Sequence, residues 1–182
     1  MPLPKEHIYT AEDYWNLPEG ERAELIGGKL YAMAPPMRIH QKISTYLAHD
    51  ILTHIQSKKK TCEVYTAPFA VNLHADDTTY VEPDIAVICD KNKLTDRGCT
   101  GAPDMVVEIV SPSSRRIDYY TKHNLYAEAG VREYWIVDPV KERTTVYYYE
   151  KEEIPAIYTF DMSITVGIFP ELSITIANFL NE

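Results

Sequence analysis

Two acidic residues sit where a sheet should be driest. Glu82-Pro83-Asp84 opens one apolar run, and Glu108 lies inside a second, Asp104-Met105-Val106-Val107-Glu108-Ile109-Val110. A carboxylate buried in a strand is costly unless a cation or a hydrogen-bond donor meets it, so two on neighbouring strands point to a metal site. Adjacent strands lie about 4.8 Å apart, so Asp84 and Glu108 at matching depth can share one Mg²⁺, whose oxygen ligands stand at about 2.0 to 2.1 Å. Without a cation, like charges about 4 Å apart repel by about 4 kcal/mol at an effective dielectric near 20, a large part of a total stability of about 5 to 15 kcal/mol. The backbone carbonyl of Ile109 offers a third protein ligand, leaving the remaining positions to water and a phosphate oxygen. Lys122, on a helix expected to follow, adds an ammonium. Acids, a divalent ion and an ammonium together are the chemistry of phosphodiester hydrolysis.

The elements that must position these groups are legible in the apolar spacing. Thr10-Ala11-Glu12-Asp13 carries a capping pattern that starts a short helix over Ala11 to Trp15. Ala23 to Ile26 and Lys29 to Met33 read as two strands joined at Gly27-Gly28, since glycines tolerate the positive φ of a tight hairpin; Glu24 lies on the first. Ile39, Ile43, Tyr46, Leu47, Ile51 and Ile55 recur at three- and four-residue spacing and define a one-faced helix. His40 and Gln41, at its start, either face the site or cap the helix. Cys62 to Ala67 and Phe69 to Leu73 alternate as strands.

The runs from Asp84 to Cys89 and Met105 to Val110 are apolar on both faces, as central strands covered by helices should be. The stretch between them, Asp90 to Ala102, reads as a polar, mobile loop. A serine at 113 or 114 caps a helix running to about Ala129, where Gly130 provides a left-handed stop. That helix presents Arg115 and Arg116 at its N-terminus, aimed at the strand end where a phosphate would lie, and carries Lys122 further along. The alternative for Lys122 is a helical pair with Asp118, worth only about 0.2 to 0.5 kcal/mol. Glu133 to Asp138, Thr144 to Tyr149 and pieces around Ile157, Ile164 and Ile174 are further strands.

Composition narrows the class. At 182 residues and 45% hydrophobic content, the chain suits one α/β domain spanning 1–182. The N-terminus lacks the apolar core of a signal peptide and no run reaches a membrane span, so a soluble cytoplasmic protein that does not enter the membrane is expected. Cys62, Cys89 and Cys99 show no CxxC spacing and read as ordinary reduced thiols. A net charge of -9 argues against loose adsorption to a polyanion, so any nucleic-acid contact must be local. The cationic spots are Lys58-Lys59-Lys60, then Lys91 with Lys93 and Arg97, then Arg115-Arg116. Trp135, Tyr147, Tyr148 and Tyr149 on late strands suggest aromatic surface for a homo-oligomer, a dimer in the first instance, unless they pack under Leu172 to Leu180.

Glu24-Leu25-Ile26-Gly27-Gly28, Pro36 to Gln41, Pro83-Asp84, Val107 to Pro112, Asp118 with Lys122 and Tyr126, and Gly130 to Asp138 together resemble the Uma-two family of bacterial endonucleases across nearly the whole chain. That family is similar to the PD-(D/E)XK nuclease superfamily. The resemblance implies a restriction-endonuclease-like core, a mixed central β-sheet flanked by helices, with additional antiparallel strands. By position it assigns Asp84 and Glu108 as the two motif acids and Glu24 as the acid of the N-terminal element. Val110 stands where the motif lysine would be, so the resemblance implies that the lysine has moved to the next helix as Lys122. Gly27 replaces an acid common in relatives. The implied activity is Mg²⁺- or Mn²⁺-dependent cleavage of nucleic acid, DNA ahead of RNA, with Glu24 binding a second ion or a water. The rivals are a non-catalytic nuclease-fold module for binding or assembly, and a hydrolase of small phosphoesters.

Overall fold

The runs that read as apolar on both faces lie at the centre of a mixed six-stranded sheet. The computed structural model describes residues 7–151 and 154–180; Met1 to Glu6, whose composition bears on a signal peptide, lie outside the described residues. In chain order the elements are α1 (Ala11–Trp15), β1 (Ala23–Ile26), β2 (Lys29–Ala32), α2 (Arg38–Ser57), β3 (Glu63–Thr66), β4 (Ala70–Asn72), β5 (Tyr80–Val81) and β6 (Ile85–Ile88). There follow β7 (Leu94–Thr95), β8 (Gly98–Thr100), β9 (Met105–Ile109), a π-helical turn (Ile117–Lys122) continuing into α3 (His123–Ala129), β10 (Glu133–Asp138) and β11 (Arg143–Tyr148). The chain closes with β12 (Ala156–Thr159), β13 (Ile164–Val166), β14 (Phe169–Ile174) and α4 (Ala177–Leu180).

The main sheet runs β12-β11-β10-β9-β6-β3, with β9 and β10 parallel and the other pairs antiparallel. A parallel pair needs a crossover, and the helical segment between β9 and β10 supplies it. One face of the sheet (Ile85, Val87, Met105, Val107, Ile109, Trp135, Val137) packs on Ile43, Leu47, Ile51 and Ile55 of α2 and on Ile164, Phe169 and Ile174 of the C-terminal hairpin. The opposite face (Ala86, Ile88, Val106, Val110, Tyr134, Ile136) packs on Tyr126 of α3 and on Ile26, Val71, Leu73 and Val81 of a second sheet, ordered β2-β1-β5-β4-β8-β7. Double coverage removes the polar alternation of a half-exposed strand.

The Gly27-Gly28 hairpin forms as expected, with φ of 55° and 76°. At α1, the Asp13 carboxylate accepts the Thr10 N–H at 2.8 Å, the return half of the capping pattern. Two readings need correction. The stretch Asp90 to Ala102 is not an open loop: β7 and β8 join the second sheet, and β8 pairs parallel with β4, where any Cβ at Gly98 would lie 2.0 Å from the Ala70 carbonyl. Cys62 and Cys89 are not free thiols but a disulfide, because the antiparallel register pairing Glu63 with Ile88 brings the next residues outward together. Cys99 is free and buried.

The late aromatics are also less available than their number suggests. Trp135 is fully buried, Tyr147 stacks on Tyr134 and Tyr149, and the Tyr148 hydroxyl donates to the Thr165 carbonyl. The three tyrosines stay half-buried, so self-association through this face remains a proposal. Among the described residues no helix is long and apolar enough to cross a membrane.

Candidate active site

Between the two sheets lies a cleft of about 380 Å³, lined among others by Glu24, Asp84, Glu108, Ile109, Asp118 and Lys122. They arrive from four places in the fold. Glu24 comes from β1, Asp84 from the residue before β6, Glu108 from β9, and Asp118 and Lys122 from the π-helical turn. In the register of β6 and β9, Ile85 faces Val107, so Asp84 and Glu108 fall at the next cross-strand position and on the same face. A larger, shallow recess of about 640 Å³ lies between Trp15 and Arg97, but Glu12 is its one acid, so the chemistry is concentrated in the smaller cleft.

Lys122 is the hub. Its Nζ donates to Glu108 Oε1 at 2.8 Å and lies 2.9 Å from Glu24 Oε1 and 3.6 Å from Asp118 Oδ1. The Tyr126 hydroxyl donates to the same Glu108 oxygen at 2.6 Å. Glu24 Oε1 also accepts the Glu82 backbone N–H at 2.8 Å, tying the second sheet to the cleft. Asp84 Oδ2 accepts the Ile109 N–H at 2.7 Å and meets His40 Nε2 at 3.0 Å. Glu24, Glu108, Asp118 and Lys122 are all buried, at 4% exposure or less.

Burial pushes the Glu108 carboxyl well above the usual carboxylate range, against the pull of Lys122 and with Asp118, Asp84 and Glu24 adding to the rise. Asp118 is raised for the same first cause. Burial by itself would lower Lys122, but Glu108, Glu24 and Asp118 hold its ammonium well above the ordinary lysine value. The Lys122 ammonium therefore stays charged, while burial biases the Glu108 and Asp118 carboxyls toward the protonated form.

These residues fit a divalent cation. Three carboxylates surround one ammonium, with Asp84 beside them, and this surplus of acids is met either by bound protons, which the raised Glu108 and Asp118 favour, or by a divalent cation. The donors are hard oxygens, the set Mg²⁺ and Mn²⁺ prefer. Among the described residues one oxygen each of Glu24, Glu108 and Asp84 holds protein donors while the other takes no partner, and Asp118 Oδ1 is buried without a hydrogen bond. Among the described residues no three His, Cys, Asp or Glu side chains are grouped so as to hold a metal ion by themselves, so a cation here would need backbone and water ligands beside Asp84 and Glu108.

The remaining residues singled out in the sequence divide. His40 and Gln41 line the cleft, and His40 does so at the first turn of α2 while touching Asp84. Arg115 is held away from it by Asp138, at 2.7 and 3.2 Å, and the exposed Arg116 is not among the lining residues. Lys91 pairs with Glu63, Lys93 donates to the Ala102 carbonyl, and Arg97 sits over Trp15, all outside the cleft. Sequence reasoning passed over Tyr126 as a site residue and Arg22 altogether. Tyr126 has the spacing of an apolar helix residue, and its hydroxyl contact depends on a strand 18 positions away. Arg22 stands in a polar stretch with nothing local to mark it.

Two curated relatives come from Synechocystis sp. (strain ATCC 27184 / PCC 6803 / Kazusa). "Uncharacterized protein slr1290" is 27% identical over 150 residues, 81% of this chain and 76% of that one. "Uncharacterized protein sll1609" is 25% identical over 149 residues, 79% and 81%. A solved structure from Anabaena variabilis ATCC 29413, titled "a putative nuclease belonging to DUF820", shares the fold with a TM-score of 0.76 at 20% identity, over 94% of this chain and 97% of that one. Residues 11–177 match the Uma2 family, described as "Putative restriction endonuclease", and the chain belongs to that family.

Proposed function

We propose that the protein is a metal-dependent endonuclease acting on DNA, with Asp84, Glu108 and the Ile109 carbonyl holding Mg²⁺ or Mn²⁺. The observation that carries this reading is the meeting of Glu24, Asp84, Glu108 and Lys122 in one cleft where acids outnumber cations. Because both sheets contribute to that cleft, residues 1–182 are read as one domain. When bound, the cation supplies Lewis acidity toward the phosphate and lowers the pKa of a water. Once the charge of Glu108 is so engaged, Lys122 Nζ can turn a hydrogen toward the attacking water or the developing charge on the phosphate. Tyr126 and the Ile109 N–H keep Glu108 and Asp84 from rotating away, and Glu24 holds a water at the opposite wall.

The test is cleavage of duplex DNA, single-stranded DNA, RNA and nucleotides with Mg²⁺, with Mn²⁺ and with chelator. Metal-dependent cleavage of DNA is the expected result. Cleavage of RNA alone would move the substrate, and cleavage of nucleotides alone would make the protein a small-phosphoester hydrolase. No cleavage with any metal would leave a non-catalytic module of the same fold.

A further inference from the structure

A cleft with this much negative charge should repel the substrate it is proposed to cut. Of the Lys and Arg side chains lining it, Lys122 is buried and committed to three acids, and the other is Arg22, whose side chain is 38% exposed. Arg22 immediately precedes β1, two residues from Glu24, and strand alternation sends both side chains to the same face. Its carbonyl accepts the Met33 N–H at 2.8 Å, which fixes the backbone at that point.

The guanidinium is held from behind. Glu82 Oε2 accepts from Nε at 3.1 Å and from Nη2 at 2.5 Å. Glu82 is itself anchored: its Oε1 accepts the Tyr14 hydroxyl at 2.8 Å and its N–H donates to Glu24. An isolated surface pair of this kind contributes about 0 to 1 kcal/mol and needs no function. Here, however, the Glu82 carboxylate is held by Tyr14 of α1 and its backbone N–H by Glu24 of β1, and Arg22 Nη1 takes no partner among the described residues. A guanidinium has five N–H groups in a rigid fork, so one edge is spent on Glu82 and the outer donors stay available to a second oxyanion.

We infer that Arg22, buttressed by Glu82 and Tyr14, is a phosphate subsite at the mouth of the cleft that receives a backbone phosphodiester next to the one being cut. This rests on the nuclease reading for its substrate. A phosphodiester presents two oxygens that the guanidinium fork matches, with strength derived from charge-assisted hydrogen bonds. Such a contact positions the strand without reading its sequence.

The test is anisotropy of a fluorescein-labelled DNA duplex of mixed sequence, titrated over a range of KCl in Ca²⁺, with the probe checked intact on a gel. Wild type, Arg22→Met, Arg22→Lys and Arg97→Met are compared. Arg22→Met should bind about tenfold more weakly, with the slope of log K against log salt shallower by about 1 and the same loss on duplexes of other sequence. Arg22→Lys should recover the slope but only part of the affinity, since an ammonium lacks the fork, and Arg97→Met should match wild type. Arg22→Met binding with wild-type affinity and slope overturns the subsite, as does a wild type that binds no duplex. A wild type that binds through Arg22 yet never cleaves with Mg²⁺ or Mn²⁺ leaves the subsite standing and sinks the nuclease reading instead.

Discussion

Glu108 and Glu133 are both buried, on adjacent parallel strands, and face opposite sides of the same sheet. Glu133 Oε1 accepts Trp135 Nε1 at 2.7 Å and the Gly167 N–H at 2.9 Å, and its Oε2 accepts the Ile168 N–H at 2.9 Å. Both oxygens are satisfied by neutral donors, and the carboxylate fastens the β13–β14 turn to β10. Burial still raises its pKa, with those donors and Lys151 opposing. Glu108 is raised too, but one of its oxygens takes an ammonium and a phenol while the other faces the cleft. A displaced pKa therefore does not separate the two. What separates them is whether the second oxygen is occupied and whether the local charge is balanced.

The contrast can be broken most forcefully at Lys122. Lys122→Met should cost about 3 to 5 kcal/mol of stability, because it strands three buried acids, and the gap to wild type should be similar in chelator and in Mg²⁺. It should also lower the cleavage rate while leaving Mg²⁺ affinity near wild type. Urea melts with and without Mg²⁺ read the first effect, and a variant as stable as wild type in chelator would refute the charge argument.

Glu108→Gln should reduce single-turnover cleavage by about a thousandfold or more, about 4 kcal/mol of barrier, with folding unchanged or improved in the absence of metal. Calorimetric titration should show weakened Mg²⁺ binding, and wild-type binding would remove Glu108 from the ligand set.

On the other face, Glu133→Ala should destabilise the protein by about 3 kcal/mol by leaving the buried Trp135 donor and the half-buried Gly167 and Ile168 N–H groups unmatched. Cleavage per folded molecule should stay at the wild-type level. If activity instead vanished with the fold intact, the division between the two glutamates would be wrong.

The smallest effect is expected from Asp138, another buried acid with both oxygens occupied. Burial would raise it, but Arg115, the Lys141 N–H and Tyr119 hold it below the ordinary carboxylate range. Its folded pKa is thus below the unfolded one. The stabilisation is complete above pH of about 4 and is lost as pH falls through the lower folded value. Arg115→Met should lower stability at neutral pH, and the gap to wild type should close in acid. A gap of constant size from pH about 7 downward would mean that the pair contributes nothing.

Much of this arrangement can be read before any coordinates. Acids inside apolar runs at Asp84 and Glu108, a tight turn at Gly27-Gly28 and the spacing of α2 are local signals, and they place the sheet and most of the cleft. What escapes is whatever depends on register between distant segments. The Cys62–Cys89 disulfide comes from a strand pairing that the spacing of 27 residues does not reveal. Likewise β7 and β8 are too short to show a period, and Arg22 is defined by Glu82, 60 positions away. The half-burial of the late tyrosines is equally illegible, because a β-strand aromatic looks the same in sequence whether it faces water or a neighbouring hairpin.

The π-helical turn makes chain length itself part of the site. A π turn accommodates one residue more than an α-helix over the same rise, and here it spans Ile117–Lys122, between the serine-rich start of the crossover and Tyr126. Losing one residue, for example Tyr120, which is 71% exposed, would let the segment close up into regular helix and turn Asp118 by about 100° relative to Lys122. Replacing Tyr120 by alanine should leave cleavage intact, whereas deleting it should abolish cleavage with the sheet preserved, as circular dichroism would show. The crossover is constrained as a spacer counted in residues, and alignments of relatives should tolerate substitution there far better than gaps.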